Sequence, residues 1–437
     1  MPRPMRWILL FCLIAGWAPR GHSEGQEQIK KLAHDIFKQL IETNTTDSVG
    51  NVTTAAEAMA KRLRDAGFEA RDIQVAGPNE RKKNLVARFR GTGKRKPILF
   101  IGHLDVVEAL RADWSTDPFE FIEKDGYFYG RGTEDMKEGD AILITNFIRL
   151  KMEGYLPDRD VILALTADEE GGSSNGVDWL LKEHRDWVDA EYCINLDGGE
   201  FEKDKDKRLL AGIQASEKVY VDFQFESLNP GGHSSVPSPD NAIYHLAGAL
   251  SRLERYSFPA RINEITRSYF EHNAVLTTGQ VAADMKAVAQ QSPDPGAVER
   301  LSEAPYFNSL LHTTCVATML SGGHARNALP QTARANVNCR IFPGEDPQEV
   351  RRTLERVASD PQVRITTVSQ LAPDGKYTRI AGIPTFGISC MFFDINDNRE
   401  HGKDERVGVQ DFYDGVDFNY RLIKELSSPS IRNTPKK

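Results

Sequence analysis

The chain has 437 residues, 40% of them hydrophobic and 27% charged, and a formal net charge of −8. That length suits two domains with a sizeable core, and an acidic balance without a basic stripe argues against nucleic-acid binding. The short basic runs Arg81-Lys82-Lys83 and Lys94-Arg95-Lys96 read as solvated strand ends.

The first element is a leader. Arg3 and Arg6 precede an apolar run from Trp7 to Trp17 that is too short to span a bilayer, and polar residues follow from Arg20. This is the pattern of a signal peptide over residues 1–23. The mature chain is expected to be periplasmic or secreted, with no membrane contact after cleavage. Its four cysteines, Cys193, Cys315, Cys339 and Cys390, are scattered singly among apolar neighbours and read as buried free thiols. No Gly-x-Ser-x-Gly elbow marks a serine hydrolase.

Two helices open the mature chain. One carries Ile29, Leu32, Ile36 and Leu40 at helical spacing, and the second spans residues 54–66 and stops at Gly67. Strands are predicted at 84–90, 97–102, 160–166 and 190–196, with helices at 138–152 and 176–183 between them. Continuous apolar runs such as Ile98-Leu99-Phe100-Ile101 suit strands covered on both faces. Alternating strands and helices imply an α/β sheet.

From Ser216 the pattern changes. Val219, Val221, Phe223 and Phe225 alternate with polar residues, as in a half-buried strand. A helix at 241–253, strands at 315–320 and 332–341, a helix at 347–358 and a strand at 363–368 complete a small α+β unit. Residues 259–303 read as helical or loop-like without a clear place. The predicted organisation is a catalytic domain over 24–215 and 371–437 with a second domain inserted at 216–370.

Polar clusters sit where strands of the first domain end: His103-Leu-Asp105, Asp135 before a helix, Glu169-Glu170, and Asp197 in Asn195-Leu-Asp-Gly-Gly. Carboxyl ends of strands in an open α/β sheet converge on one crevice, and like charges this dense repel unless a cation sits among them. His401 adds a further candidate ligand. Asp135, Glu170 and Asp197 with one hydroxide carry four negative charges, which two divalent cations balance while both histidines stay neutral. Imidazole and carboxylate donors without thiolate suit zinc, with manganese or cobalt as substitutes.

The motifs Gly102-His-Leu-Asp-Val-Val, Gly130-Arg-Gly-Thr-Glu-Asp-Met-Lys, Ala167-Asp-Glu-Glu-Gly-Gly, Gly231-Gly-His-Ser-Ser and Glu400-His-Gly-Lys-Asp-Glu stand in one order along the chain. In them the chain resembles the two-zinc metallopeptidase family of carboxypeptidase G, aminoacylase and succinyl-diaminopimelate desuccinylase, as a carboxypeptidase-S-like member. The resemblance implies a catalytic domain with a mixed, mainly parallel sheet and an inserted ferredoxin-like α+β lid that also makes a homodimer. It implies that Asp135 bridges two zinc ions, with His103 and Asp197 on one and Glu170 and His401 on the other. Glu169 becomes the general base, and Asp105 orients His103 and fixes its tautomer. His233 of the lid stabilises the oxyanion of the partner's site, and Asn327 and Arg340 grip the substrate's carboxylate.

The implied reaction is hydrolysis of a peptide or N-acyl amide bond next to a free carboxylate. A dipeptidase and a metal-binding pseudoenzyme are the alternatives. The second is raised by one departure: relatives return from the lid through a helix and a strand and a Gly-rich loop before the segment matching Asp374. Here Asp374 follows the last lid strand almost at once, so the catalytic sheet is expected to lack a strand.

Overall fold

The structure, a computed structural model, describes residues 20–369 and 374–428; the expected leader lies almost wholly outside them. Six strands form the catalytic sheet in the order Ile73–Ala76, Asn84–Phe89, Val161–Thr166, Ile98–His103, Tyr192–Asn195, Thr385–Gly387. The last four run parallel and the first two pair antiparallel at one edge. The apolar runs explain the layering. Ile98 and Phe100 pack into one buried cluster while Leu99 and Ile101 pack into another on the opposite face. Alternate residues of Val161–Thr166 divide the same way, because successive side chains of a strand point to opposite faces.

Helices Arg20–Ile41, Val52–Asp65, Lys137–Met152 and Val409–Ser427 cover the larger face. The second begins where the Asn51 side chain accepts a hydrogen bond from Thr54 N, and ends before Gly67 at φ +90°. Phe37 stacks on Phe412 at 4.7 Å between ring centres. Each fully buried phenylalanine of this kind contributes roughly 1.5–3 kcal/mol.

The segment expected to form the lid contains a four-stranded antiparallel sheet in the order Thr314–Gly322, Thr332–Ile341, Val219–Leu228, Val363–Ser369. With helices Ala242–Glu254 and Pro347–Ala358 on one face, the chain order β-α-β-β-α-β is ferredoxin-like. Residues 259–303, unplaced from sequence, belong to a helical insertion. Helices Glu264–Asn273, Gly279–Val288, Pro295–Ser302 and Pro305–Leu311 close around their own core of Phe270, Met285, Val288 and Leu301.

The cysteines correct the sequence reading. Cys193 and Cys390 are buried thiols, but Cys315 and Cys339 form a disulfide. They stand directly opposite in neighbouring strands, a pairing that flanking residues do not reveal. Closing a loop of 24 residues stabilises the fold by about 3 kcal/mol through chain entropy.

After the lid, helix Asp374–Ile380 leads directly to Thr385–Gly387, which supplies the edge strand of the catalytic sheet. Residues 370–373, where the Gly-rich approach was expected to be missing, lie outside the described residues. Among the described residues no helix is long and apolar enough to cross a membrane.

Candidate metal centre

Strands Ile98–His103, Val161–Thr166 and Tyr192–Asn195 are parallel neighbours, so their carboxyl ends open on one edge. His103 ends the first, Glu169 and Glu170 follow the second, and Asp197 follows the third. Asp135 enters from the turn before helix Lys137–Met152, and His401 from the loop before helix Val409–Ser427.

Asp135 lies between the two histidines. Its Oδ1 is 3.0 Å from His103 Nε2 and its Oδ2 is 2.8 Å from His401 Nε2. His401 Nε2 also meets Glu170 Oε1 at 2.8 Å, and His103 Nε2 lies 3.9 Å from Asp197 Oδ2. Donor atoms of His103, Asp135 and Glu170 fall within 4.8 Å of one another, as do those of His103, Glu169 and Asp197. Glu400, which the sequence reading passed over, forms a third such group with Asp135 and His401.

Asp105 is buried but differs in detail from expectation. Its Oδ1 accepts from Glu169 N at 3.2 Å and its Oδ2 from Glu170 N at 3.0 Å. His103 Nδ1 meets the backbone carbonyl of Asp105 at 3.1 Å, and the carboxylate only at 3.8 Å. The carbonyl orients the imidazole, while the carboxylate holds the Glu169-Glu170 turn.

Two further anchors were missed. Lys82, read as a solvated strand end, is buried; its Nζ bonds to Asp168 and, at 2.9 Å, to Asp47 Oδ1. Asp168 has φ +59°, so this ion pair fixes a left-handed residue immediately before Glu169. Buried Asp374 accepts from Thr166 Oγ1 at 2.7 Å and Asn175 Nδ2 at 2.8 Å, which ties down the two ends of the same loop. Sequence gave no signal for either, beyond a lysine in a basic run and an aspartate in a matching segment.

The electrostatics follow from crowding. Burial alone would lower the pKa of His103, but its hydrogen bond to Asp135 and the carboxylates of Asp197 and Asp105 raise it well above its ordinary value. Hydrogen bonds to Asp135 and Glu170 push His401 up to about 10. Burial, joined by the charges of Asp374, Glu170 and Asp135, pushes Glu169 up to about 8. Burial and the charge of Asp135 push Glu170 up to about 7, and the same two causes raise Asp197 well above the carboxylate range. Asp135 goes the other way. Although burial opposes it, bonds from both imidazoles hold its carboxyl well below the usual range. Protons balance these carboxylates where divalent cations would do so better, and the mixed imidazole–carboxylate donor set fits such cations.

The lid residues are arranged apart. His233 is exposed and bonds through Nδ1 to Ser235 Oγ at 2.7 Å. Ala328 lies opposite it, and the carbonyl of neighbouring Asn327 accepts from Ser234 N at 3.1 Å. Arg340 stacks on the Tyr220 ring at 4.6 Å, near the other end of strand Thr332–Ile341. Among the described residues, none of the three hydrogen-bonds to the His103–His401 cluster.

A carboxylate-and-histidine centre at the carboxyl edge of an α/β sheet, with a ferredoxin-like insertion, defines a metal-dependent hydrolase. The chain belongs to peptidase family M20/M25/M40, whose model matches residues 99–425. It is 27% identical over 398 residues to probable carboxypeptidase S-like 2 of Dictyostelium discoideum, covering 78% of this chain and 74% of that one. It is 29% identical over 297 residues to the human N-fatty-acyl-amino acid synthase/hydrolase PM20D1, covering 64% of this chain and 56% of that one. The chain thus spans little more than half the length of the human relative. An M20 family metallo-carboxypeptidase from Sulfolobus solfataricus shares the fold, with TM-score 0.67, 16% identity, and coverage of 90% of this chain and 98% of that one.

Proposed function

We propose that this chain is an exported two-metal hydrolase that cleaves a peptide or N-acyl amide bond beside a free carboxylate. The observation that carries the reading is Asp135, whose two oxygens face one histidine each, from opposite ends of the chain. Asp135 would be shared by two divalent cations, zinc by donor chemistry, with His103 and Asp197 on one side and Glu170 and His401 on the other. When bound, the cations supply Lewis-acid polarisation of the scissile carbonyl and acidify water. Glu169 is the base: it takes a proton from the attacking water and delivers it to the leaving nitrogen. Nearby cations favour its ionised form, so a carboxyl raised by burial becomes competent at neutral pH. Asp105 and the Lys82–Asp168 pair hold the Glu169-Glu170 turn in place. The names of the relatives suit acyl-amino-acid and carboxypeptidase substrates.

The test is turnover of a panel of N-acyl amino acids and dipeptides by zinc-loaded protein beside Glu169→Ala. The variant should lose about 10²- to 10⁴-fold in kcat while keeping its metal content, and a chelator should abolish activity. Dipeptides preferred across the panel would make the enzyme a dipeptidase. No turnover with two ions still bound would overturn the hydrolase reading.

The lid supports a homodimer. Strand Thr314–Gly322 is an exposed sheet edge carrying Val316, Met319 and Leu320, and Ile243 and Tyr244 lie exposed on the helix beside it. A bare apolar edge of this kind invites strand pairing. Arg340 lies eight residues from Thr332 along its strand, about 26 Å at ~3.3 Å per residue, whereas His233 and Asn327 lie at a separate two-stranded pairing that precedes Thr332 in the chain. On this arrangement we assign His233 and Asn327 to the partner's site and Arg340 to its own. Leu320→Asp should convert a dimer to a monomer in sedimentation velocity and lower kcat; a monomeric wild-type protein with full activity would refute the composite site. Export is supported by the Cys315–Cys339 disulfide, which belongs in an oxidising compartment. The intact mass of native protein reads both leader cleavage and disulfide; a full-length reduced chain would count against export.

A further inference from the structure

Two loops far apart in sequence bring Asp135 and His401 together, and something must set their separation. Arg131 and Glu405 lie between these loops, and both are buried. Glu405 Oε2 takes the ion pair from Arg131 Nη1. Its Oε1 accepts from three successive parts of the Asp135 loop: Gly132 N at 3.1 Å, Glu134 N at 2.6 Å and Asp135 N at 3.3 Å. Arg131 reciprocates with Nη2, which donates to Gly402 O at 2.9 Å and to His401 O at 3.3 Å. Each partner therefore grips the backbone of the ligand loop opposite its own. The guanidinium also lies over the Trp114 ring at 5.0 Å, which limits its freedom. His401 itself has φ +59°, a left-handed conformation that a non-glycine residue holds only when its surroundings impose it.

We infer that Arg131 and Glu405 form a buried clasp that positions His401 against Asp135 and so sets the affinity of the cation site His401 belongs to. The inference rests on the two-cation reading above. The pair touches no substrate; it acts through the backbone of two ligand residues. Its effect is weighted to one side of the centre: Asp135 is shared, but His401 serves one cation alone, and His103 and Asp197 are placed by strand ends that the clasp does not touch.

The planar fork of arginine matters here. One amino group meets the carboxylate while the other reaches two carbonyls, a geometry that lysine cannot copy. Removing a single partner would leave a lone buried charge, so the informative variant removes both: Arg131→Met with Glu405→Gln.

The experiment is a titration of chelator-treated protein with Zn²⁺ by calorimetry and with Co²⁺ by visible absorption. The wild type should take up two ions. The double variant should bind one ion about 10- to 100-fold more weakly, the scale of losing a group that supports a ligand, and the other ion with a clearly smaller loss. The cobalt spectrum of the second equivalent should change with it. Should the double variant fail to fold, Arg131→Lys keeps the charge pair, drops the second donor, and must show the same selective loss. Two unchanged affinities, or equal weakening of both, would overturn the clasp as a positioning device. Fewer than two ions on the wild type would overturn the two-cation reading itself, and the clasp's assignment with it.

Discussion

Alanine at position 135 should empty both cation sites and lower kcat/KM by more than about 10³-fold, beyond the cost of losing one preorganised electrostatic group. Asp135 is the residue both halves share: its two oxygens lie 3.0 Å from His103 and 2.8 Å from His401. Without it, His103 retains only Asp197 as a proposed partner ligand, and His401 retains only Glu170. Two ligands apiece hold a divalent ion poorly, since catalytic zinc sites ordinarily keep three protein donors. Asp135→Asn is the informative companion. It keeps the shape but removes the charge and one acceptor oxygen, so one ion should stay and the other should leave. Metal analysis after gel filtration, set beside turnover on the preferred substrate, separates the cases. Two ions retained by Asp135→Ala would show that Asp135 is not the bridge. The centre would then have to be redrawn around His103, Glu169 and Asp197, which also lie within 4.8 Å of one another.

The same geometry explains what could be read from sequence. His103, Glu169, Glu170 and Asp197 sit within a few residues of strands whose apolar runs are local and unmistakable, so the place of each side chain follows from where its strand ends. Parallel neighbours then bring those ends together without further information. The residues that went unseen act over distance. Lys82 looked solvated because its neighbours Arg81 and Lys83 are basic, yet it reaches Asp168 across the fold and is buried by it. Cys315 and Cys339 meet only because two antiparallel strands fall in that register. Arg131 and Glu405 sit inside motifs whose legible residues are the ligands, and which backbone groups a buried carboxylate collects depends on loop shape. The orienting contact at Asp105 belongs to the same class. A strand-end aspartate was visible, but whether its carbonyl or its carboxylate faces the imidazole is decided by the path of the turn at Glu169-Glu170. The helical insertion at 264–311 builds a core of its own from sparse apolar residues, which local periodicity alone did not separate from loop.

Protons and cations compete for this centre, and the competition should be visible as opposite pH dependences of stability. With protein charges alone, hydrogen bonds to Asp135 and Glu170 raise His401 to about 10. Burial and neighbouring charge raise Glu170 to about 7 and Glu169 to about 8. All three values exceed those of an unfolded chain. A group whose folded pKa is raised holds its proton more tightly when folded, so its stabilising contribution is present at low pH and is lost as pH rises through the folded value. Chelator-treated protein should therefore lose stability as pH climbs from about 4.5 to about 8, the interval between unfolded and folded carboxyl values. The loss from the half-exposed His401 continues more weakly toward 10. Zinc reverses the sign, because each ligand must shed its proton to bind. Below pH 7, occupation of both sites displaces protons from the imidazoles and from the raised carboxyls of Glu170 and Asp197, so affinity should rise steeply with pH. Zinc-loaded protein should gain stability over the interval in which the chelated protein loses it. Melting temperature measured from pH 5 to 8, with zinc and with chelator, tests this directly. Parallel slopes would mean that the histidines are not protonated in the cation-free cluster, and that the carboxylates around Asp135 are balanced by something other than the protons assigned to them.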